Sequence, residues 1–341
     1  MKNWIDNVDE NNELILSSRI RLARNLNLKP FPHKLSEEQA EEVIKEVENA
    51  FYASSHTKDQ FKSIYLNNIG NNQARGYFEK HLISPQLINT KDKSAFIVNK
   101  DETISLMINE EDHIRLQCIT SGFNVKEAYD VANKIDDMME ENLTYAFDEK
   151  LGYKTACPTN LGTGLRVSAM LHLPALTMND EINGIFKALT QVGMTIRGLY
   201  GEGSKVEGNI YQVSNQITLG VNEGDIINNI EAVVAQLTSQ EYRAREQFIN
   251  KYKYELEDKI YRSLGILKTA VILSSKECLD LLSNVRMGIE MGLIKDMDRG
   301  FFNKLLIDTQ PYSLQLNIGR ELDAKERDIE RATLVRNYIN K

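Results

Sequence analysis

Hydrophobic spacing changes character once along this 341-residue chain, near residue 225, and that change limits the possible folds more than any other feature. Before it, short alternating or apolar runs interleave with helical periodicity. After it, the spacing is almost wholly helical. Segments 94–98, 103–108 and 114–120 are β-rich with polar boundaries, and Arg115-Leu116-Gln117-Cys118-Ile119-Thr120 alternates as a half-buried strand does. Segment 165–173 alternates again and stops at Pro174, and 195–199 and 209–219 also read as strands. Ser36-Glu37-Glu38-Gln39 has the form of a capping box opening a helix to about Ala53. Helical spacing recurs over 125–147 and 180–190, then from about Asp225 onward, with breaks expected near Gly265, Gly292 and Pro311. The expected fold is therefore α+β followed by an all-helical part. The boundary falls in or beside the long helical stretch 225–262, giving domains 1–240 and 241–341.

Charge narrows the function. The net charge is -8, and it is uneven: residues 1–240 carry 23 Lys+Arg against 33 Asp+Glu, residues 241–341 carry 18 against 16. An acidic first part suits a cationic partner better than a nucleic acid, whose binding domains are usually basic. The three cysteines, Cys118, Cys157 and Cys278, are scattered and form no CxxC or zinc spacing, so a disulfide framework or structural metal is not expected. No apolar run is long enough to span a membrane. Residues 1–12 are polar and acidic, unlike a signal peptide. The expected location is the cytoplasm.

Four segments are unusual for pure packing. In Ser17-Ser18-Arg19-Ile20-Arg21-Leu22-Ala23-Arg24-Asn25, Arg19 and Arg21 would share one face of a strand, and their guanidinium forks match phosphate oxygens; a solvated basic edge is the alternative. Asn109-Glu110-Glu111-Asp112-His113-Ile114-Arg115 puts three acids before a strand, where one could orient or deprotonate a nucleophile, or simply form an acidic turn. In Cys157-Pro158-Thr159-Asn160-Leu161-Gly162-Thr163-Gly164-Leu165-Arg166, the glycines would let backbone approach a ligand or make a tight turn. Cys157 there is either a reactive thiol or a packed one. The fourth, 197–209, has four glycines in its first dozen residues and reads as a loop able to close over substrate, or as a plain surface loop. There is no GxxxxGK[ST] and no strand–GxGxxG–helix. Arginines for phosphates, two separated glutamates and glycine-rich loops together suit phosphoryl transfer by positioning and electrostatics.

In that order, SSRIRLARN, NEEDHIR, CPTNLGTGLR and RGLYGEGSKVEGNIYQVSN resemble the catalytic domain of the phosphagen (guanidino) kinases over about residues 14–240. The resemblance implies an antiparallel sheet flanked by helices. It implies an ATP site at Ser17, Ser18, Arg19, Ile20, Arg21, His81, Arg115, Arg166, Val167, Ser168, Ala169, Met170, Arg197, Gly198, Leu199, Tyr200, Gly201 and Glu202, with Mg²⁺ carried on the nucleotide phosphates rather than by a protein metal site. The arginines would cradle phosphates and His81 would lie on the adenine side. Glu111 and Glu202 would be the catalytic carboxylates, and Cys157 would lie near the guanidinium, flanked by cationic groups that favour its thiolate.

Small-molecule members of that family carry about a hundred helical residues before the first motif. Here 16 residues precede Ser17, and about a hundred helical residues follow instead. That order resembles the bacterial protein arginine kinases of the McsB type. An absent lid would leave room for an arginine on a protein. A fifth motif, Arg327-Asp328-Ile329-Glu330-Arg331-Ala332, matches the family's RDxxRA phosphoarginine-binding pattern, with Arg327 and Arg331 on one helix face. This resemblance implies an allosteric phosphoarginine site at Arg327, Asp328, Arg331 and Ala332. It also implies stress-linked partners: arginine-bearing protein substrates, a transcriptional repressor, an activator protein and a Clp-type chaperone-protease. A homodimer or larger assembly is expected, with no direct contact to nucleic acid or membrane. The competing functions are a kinase of a free guanidino metabolite and a non-catalytic phosphoarginine-binding adaptor.

Overall fold

A computed structural model describes residues 1–9, 13–199, 206–295, 297 and 299–340, with backbone alone at 55 and 56. The strands are β1 (Ile15–Arg24), β2 (Phe61–Tyr65), β3 (Ala95–Asn99), β4 (Ile104–Ile108), β5 (Ile114–Ser121), β6 (Phe147–Asp148), β7 (Gly152–Tyr153), β8 (Leu165–His172), β9 (Met194–Arg197) and β10 (Ile210–Asn215). Eight form one antiparallel sheet in the order β2-β3-β4-β5-β1-β8-β10-β9, and β6 pairs with β7 as a separate hairpin. The helices are α1 (Glu37–Phe51), α2 (Ser55–Lys58), α3 (Asn71–Glu79), α4 (Pro85–Asn89), α5 (Val125–Glu140), α6 (Pro174–Met178), α7 (Ile182–Gln191), α8 (Glu223–Lys251), α9 (Lys253–Thr269), α10 (Ser275–Glu290), α11 (Gly300–Asp308), α12 (Pro311–Ile318) and α13 (Ala324–Ile339).

The chain divides into two compact units that are not consecutive segments. One comprises Met1–Asn3, Ser17–Ser168 and Ser214–Ile230; the other comprises Trp4–Leu16, Ala169–Val213 and Glu231–Lys341. In the first unit, Ser36 accepts from the Gln39 backbone N–H and Gln39 returns to Ser36 N–H, so α1 starts at the capping box. Helices α1 and α5 pack against β4 and β5. Strands β3 and β4 are almost wholly buried apolar runs, and Leu66, Leu82, Leu87, Phe96 and Met107 share a core with α3 and α4. Arg24 pins this unit: its Nε and Nη2 donate to Asp136 on α5 at 3.0 and 2.6 Å, and its guanidinium stacks 3.5 Å from the Tyr153 ring centroid.

In the second unit the helices close over a buried ionic network. Glu290 accepts from Arg286 at 2.5 Å and from Arg245 at 2.8 Å, and Arg245 also reaches Glu241 at 2.9 Å. Glu241 in turn accepts the backbone N–H groups of Ala175 and Leu176, which open α6. Burial alone would raise the Glu290 carboxyl, but the two guanidiniums hold it well below the usual carboxylate range. His172 donates or accepts at Ser283 (2.7 Å), and burial pushes its pKa down to about 4.

Four local expectations differ from the structure, one being the strand expected over 209–219, which ends at Asn215, whose side chain turns to accept from Val167 N–H and donate to Leu165 O. The helix expected over 125–147 ends at Glu140, because the chain turns so that Tyr145 can bridge to Leu26. The stretch 225–262 is broken at Tyr252, between α8 and α9. Gly265 lies inside α9 rather than ending it; a helical glycine costs only about 1 kcal/mol, and the real stop is at Ala270, before the Ser274 cap of α10.

Candidate active site

The pairing of β1 with β5 sets Arg21 opposite Gln117 and Ala23 opposite Arg115. Directly paired residues of an antiparallel sheet share a face, and residues two apart share it too. Arg19, Arg21 and Arg115 therefore project from one face, while Ile20 and Leu22 are buried on the other. Arg166, on β8, joins them. Burial, then the charges of Arg115 and Arg166, push the pKa of Arg19 down to about 9. Guanidiniums gathered this way are held against their own repulsion, and an anion placed among them relieves it. His81 lies against Arg19 and Arg21, and burial followed by those two charges pushes it down to about 3. It is held there by Gln117, whose Nε2 donates to the His81 carbonyl at 2.6 Å, and its own φ of 63° is left-handed.

The acidic segment is the turn between β4 and β5. Asn109, at φ 60°, supplies the left-handed residue, which asparagine tolerates better than most. Its N–H donates to His113 O, and Glu110 N–H donates to Asp112 O. Three hydrogen bonds fix this turn from outside. Asn25 donates to Asp112 at 2.6 Å and accepts from His113 N–H at 2.9 Å; Ala156 N–H donates to Asp112 at 2.7 Å. The His113 ring accepts from Leu26 N–H at Nδ1 and meets the Pro30 carbonyl at Nε2, 2.9 Å away. A carbonyl only accepts, so Nε2 carries the proton and the ring is neutral; burial pushes its pKa down to about 4.

The two glutamates of the turn have different roles. Glu110 is buried and paired with Arg115 at 2.5 Å; burial would raise it, but Arg115 and the Ser84 hydroxyl hold it below the usual range. Glu111 is exposed. Burial of part of its carboxyl, then Asp112 and Glu110, raise its pKa, opposed by Arg115 and by a hydrogen bond with the Cys157 thiol. A raised carboxylate accepts a proton more readily. Glu111 thus combines access, basicity and a neighbouring arginine.

The remaining expected residues divide by setting. Cys157 is partly exposed and meets Glu111 and, at 3.0 Å, Thr159 Oγ1; the groups described around it are a carboxylate and a hydroxyl, not the cations expected from resemblance. Ser17, Ser18, Ile20, Val167, Ser168, Ala169 and Met170 have buried side chains, and the Ser18 hydroxyl is taken up by Gly122 O and Asn124 N–H. The glycines of the 157–166 segment answer to the protein's own backbone. A Cβ on Gly162 would lie 2.4 Å from Thr218 O, and one on Gly164 would lie 2.6 Å from Ala23 O. Arg197 ends β9 in the second unit, followed by buried Gly198 and Leu199. Tyr200, Gly201 and Glu202 lie outside the described residues.

On α13, Arg327 and Asp328 are partly exposed, and Arg327 donates to Leu322 O at 2.9 Å. Arg331 is 1% exposed. It donates to Thr309 O, Leu273 O and Asp328 at 2.7, 2.7 and 2.6 Å, so it holds α13 to the segments before α10 and after α11. Ala332 is fully buried. Sequence reasoning missed the supports: Asn25 and His113 stood inside the motifs but carried no sign of their contacts, and Ser84 had no local signal at all.

Residues 42–244 match the ATP:guanido phosphotransferase C-terminal catalytic domain, and residues 253–341 match the protein-arginine kinase McsB C-terminal domain. A protein-arginine kinase of Clostridium kluyveri is 60% identical over 340 residues, covering 99% of each chain. The chain belongs to the protein-arginine kinases. The Clostridium acetobutylicum member is 56% identical over 99% of this chain and 100% of its own; a Geobacillus member is 45% identical over 99% and 94%. Among solved structures, lombricine kinase superposes with a TM-score of 0.60 at 25% identity, covering 71% of this chain and 69% of its own. The fold of this protein-arginine kinase is thus that of the guanidino kinases, joined to the helical C-terminal region of its own family. Among the described residues, no helix is long and apolar enough to cross a membrane, and no cluster of three or more His, Cys, Asp or Glu could hold a metal ion.

Proposed function

We infer that this kinase transfers the γ-phosphoryl group of ATP to a terminal nitrogen of arginine side chains on proteins. The observation that carries the reading is the convergence of Arg19, Arg115 and Arg166 on one sheet face, with accessible Glu111 beside Arg115. The arginines bind the phosphates and stabilise charge on the moving phosphoryl. Glu111 holds the guanidinium in line and takes the proton released as the N–P bond forms and the bond to the ADP oxygen breaks. A guanidinium is a poor nucleophile, with a pKa above about 12, so this carboxylate has the main chemical task. Glu202 is assigned as its partner, Arg197 as a further phosphate contact, and His81 as an adenine-side contact. The described donors around the phosphates are cationic, so Mg²⁺ would arrive on the nucleotide and supply charge neutralisation there; no protein ligand is assigned to it.

The same reading extends to regulation. Partly exposed Arg327 and Asp328, with Arg331 anchoring Asp328 from below, are proposed as a second, phosphoarginine-reading site. The domains are taken as 1–240 for catalysis and 241–341 for this control. A cytoplasmic homodimer or larger assembly is proposed, acting in stress response on a transcriptional repressor, answering to an activator protein, and marking proteins for a Clp-type protease. The decisive experiment is incubation with γ-labelled ATP and arginine-bearing proteins. Acid-labile label on arginine is expected. Label on serine, or on free arginine alone, would overturn the reading.

A further inference from the structure

Four large apolar side chains stand exposed on two backbone segments of the first unit that a third, at Gly162, joins: Phe147 (55%) and Leu151 (44%) on the β6–β7 hairpin, Ile217 (53%) and Leu219 (45%) after β10. The segments lie side by side. Tyr153 of the hairpin bridges to Gly162, and a Cβ on Gly162 would lie 2.8 Å from Leu219 Cα. Isolated exposed apolar residues are ordinary, but a contiguous group on a soluble protein marks an interaction surface.

The patch is tied to the catalytic turn. Between Ile217 and Leu219, the Thr218 hydroxyl donates to Thr159 O and Leu161 O at 3.0 and 2.7 Å. Thr159 is two residues from Cys157, whose thiol meets Glu111. Two residues of loop and two hydrogen bonds therefore separate the proposed base from the patch. An extended chain advances about 3.3–3.6 Å per residue, so residues three to five positions from an arginine held at Glu111 would lie about 10–18 Å from it.

We propose that Phe147, Leu151, Ile217 and Leu219 form the docking surface for apolar residues flanking the target arginine in a protein substrate. The proposal rests on the protein-arginine reading above. It identifies the preferred target as an arginine with apolar neighbours three to five residues away. A free guanidino metabolite has nothing to place there.

The test compares two peptides with one central arginine each, carrying leucine or serine three to five residues away on both sides. Wild type should phosphorylate the leucine peptide with kcat/KM about tenfold higher, mostly through KM, as removal of apolar contacts in a pocket commonly gives. Ile217→Ser/Leu219→Ser should lose that preference while keeping kcat on the serine peptide and ATP affinity by calorimetry. Leu151→Ser alone should lose part of it. A wild type without preference, or a double variant that retains it, would overturn the proposal. So would a double variant that dissociates into smaller assemblies with the preference unchanged, since the patch would then join copies of this chain. Phosphorylation of neither peptide would instead count against the protein-arginine reading.

Discussion

Arg19, Arg115 and Arg166 in the first unit and Arg245, Arg286 and Arg331 in the second share a side chain and differ in company. The second set is buried and answered: Glu241 and Glu290 neutralise Arg245 and Arg286, and carbonyls with Asp328 take up Arg331. The first set has Glu110 as the close carboxylate of Arg115, and the charges of Arg115 and Arg166 add to burial in depressing Arg19. Arg24 makes the contrast within one motif: five residues after Arg19 on the same strand, it is fully paired with Asp136 and stacked on Tyr153. A chain retains guanidiniums gathered against their own repulsion where an anionic ligand relieves it. It retains answered ones where removing a partner would expose the other's charge to a dry interior.

The largest effect should come from breaking the answered set. Arg286→Met leaves Glu290 buried with half its neutralisation gone, and loss of one partner of such a pair costs about 3–5 kcal/mol. Chemical denaturation should register that loss. An unchanged midpoint would show that the network is not what closes the second unit.

Next is the carboxylate beside the repelling set. Glu111→Ala should lower turnover by about 10²–10³, the usual loss for one aimed electrostatic contact, with ATP affinity and melting temperature nearly constant. Near-normal turnover would remove Glu111 from the chemistry and leave Glu110 to be tested in its place.

Acid should weaken both regions, the first more, because it buries His81 as well as His113 while the second buries His172. His113 and His172 are pushed down to about 4 by burial, and His81 to about 3 by burial and the charges of Arg19 and Arg21, against about 6.5 in the unfolded chain. As pH falls below about 6.5, the unfolded chain binds protons that the folded one refuses, so stability drops, levelling off below those folded values. Each group contributes at most about 1.4 kcal/mol per pH unit. Glu290, held low in the fold, adds loss in the same direction at still lower pH. Urea midpoints at pH 7, 6 and 5 should fall in sequence; a flat series would mean that these rings take up protons without unfolding.

What could be read from the sequence was what local chemistry decides. Ser36 and Gln39 cap α1 through neighbours three residues apart, and the apolar runs of β3 and β4 need no distant partner to be strands. Arg19 and Arg21 sharing a face followed from alternation alone. Their difference from Arg24 did not, because Asp136 is 112 residues away. The same holds for Arg331: helical spacing placed it beside Arg327, but its burial depends on carbonyls at Leu273 and Thr309. Gly162 and Gly164 looked suited to a ligand and instead fit against the chain's own backbone.

The central claim is that Arg19 is held for a phosphate rather than for the fold, and thermal melting of Arg19→Met with and without ATP tests it most directly. Without nucleotide the variant should melt at or above the wild-type temperature, because a charge opposed by burial, Arg115 and Arg166 has been removed. With saturating ATP it should gain much less than wild type, since the gain follows affinity. A variant that melts lower without ATP, yet rises as far as wild type when ATP is added, would place Arg19 with the structural arginines and contradict the account.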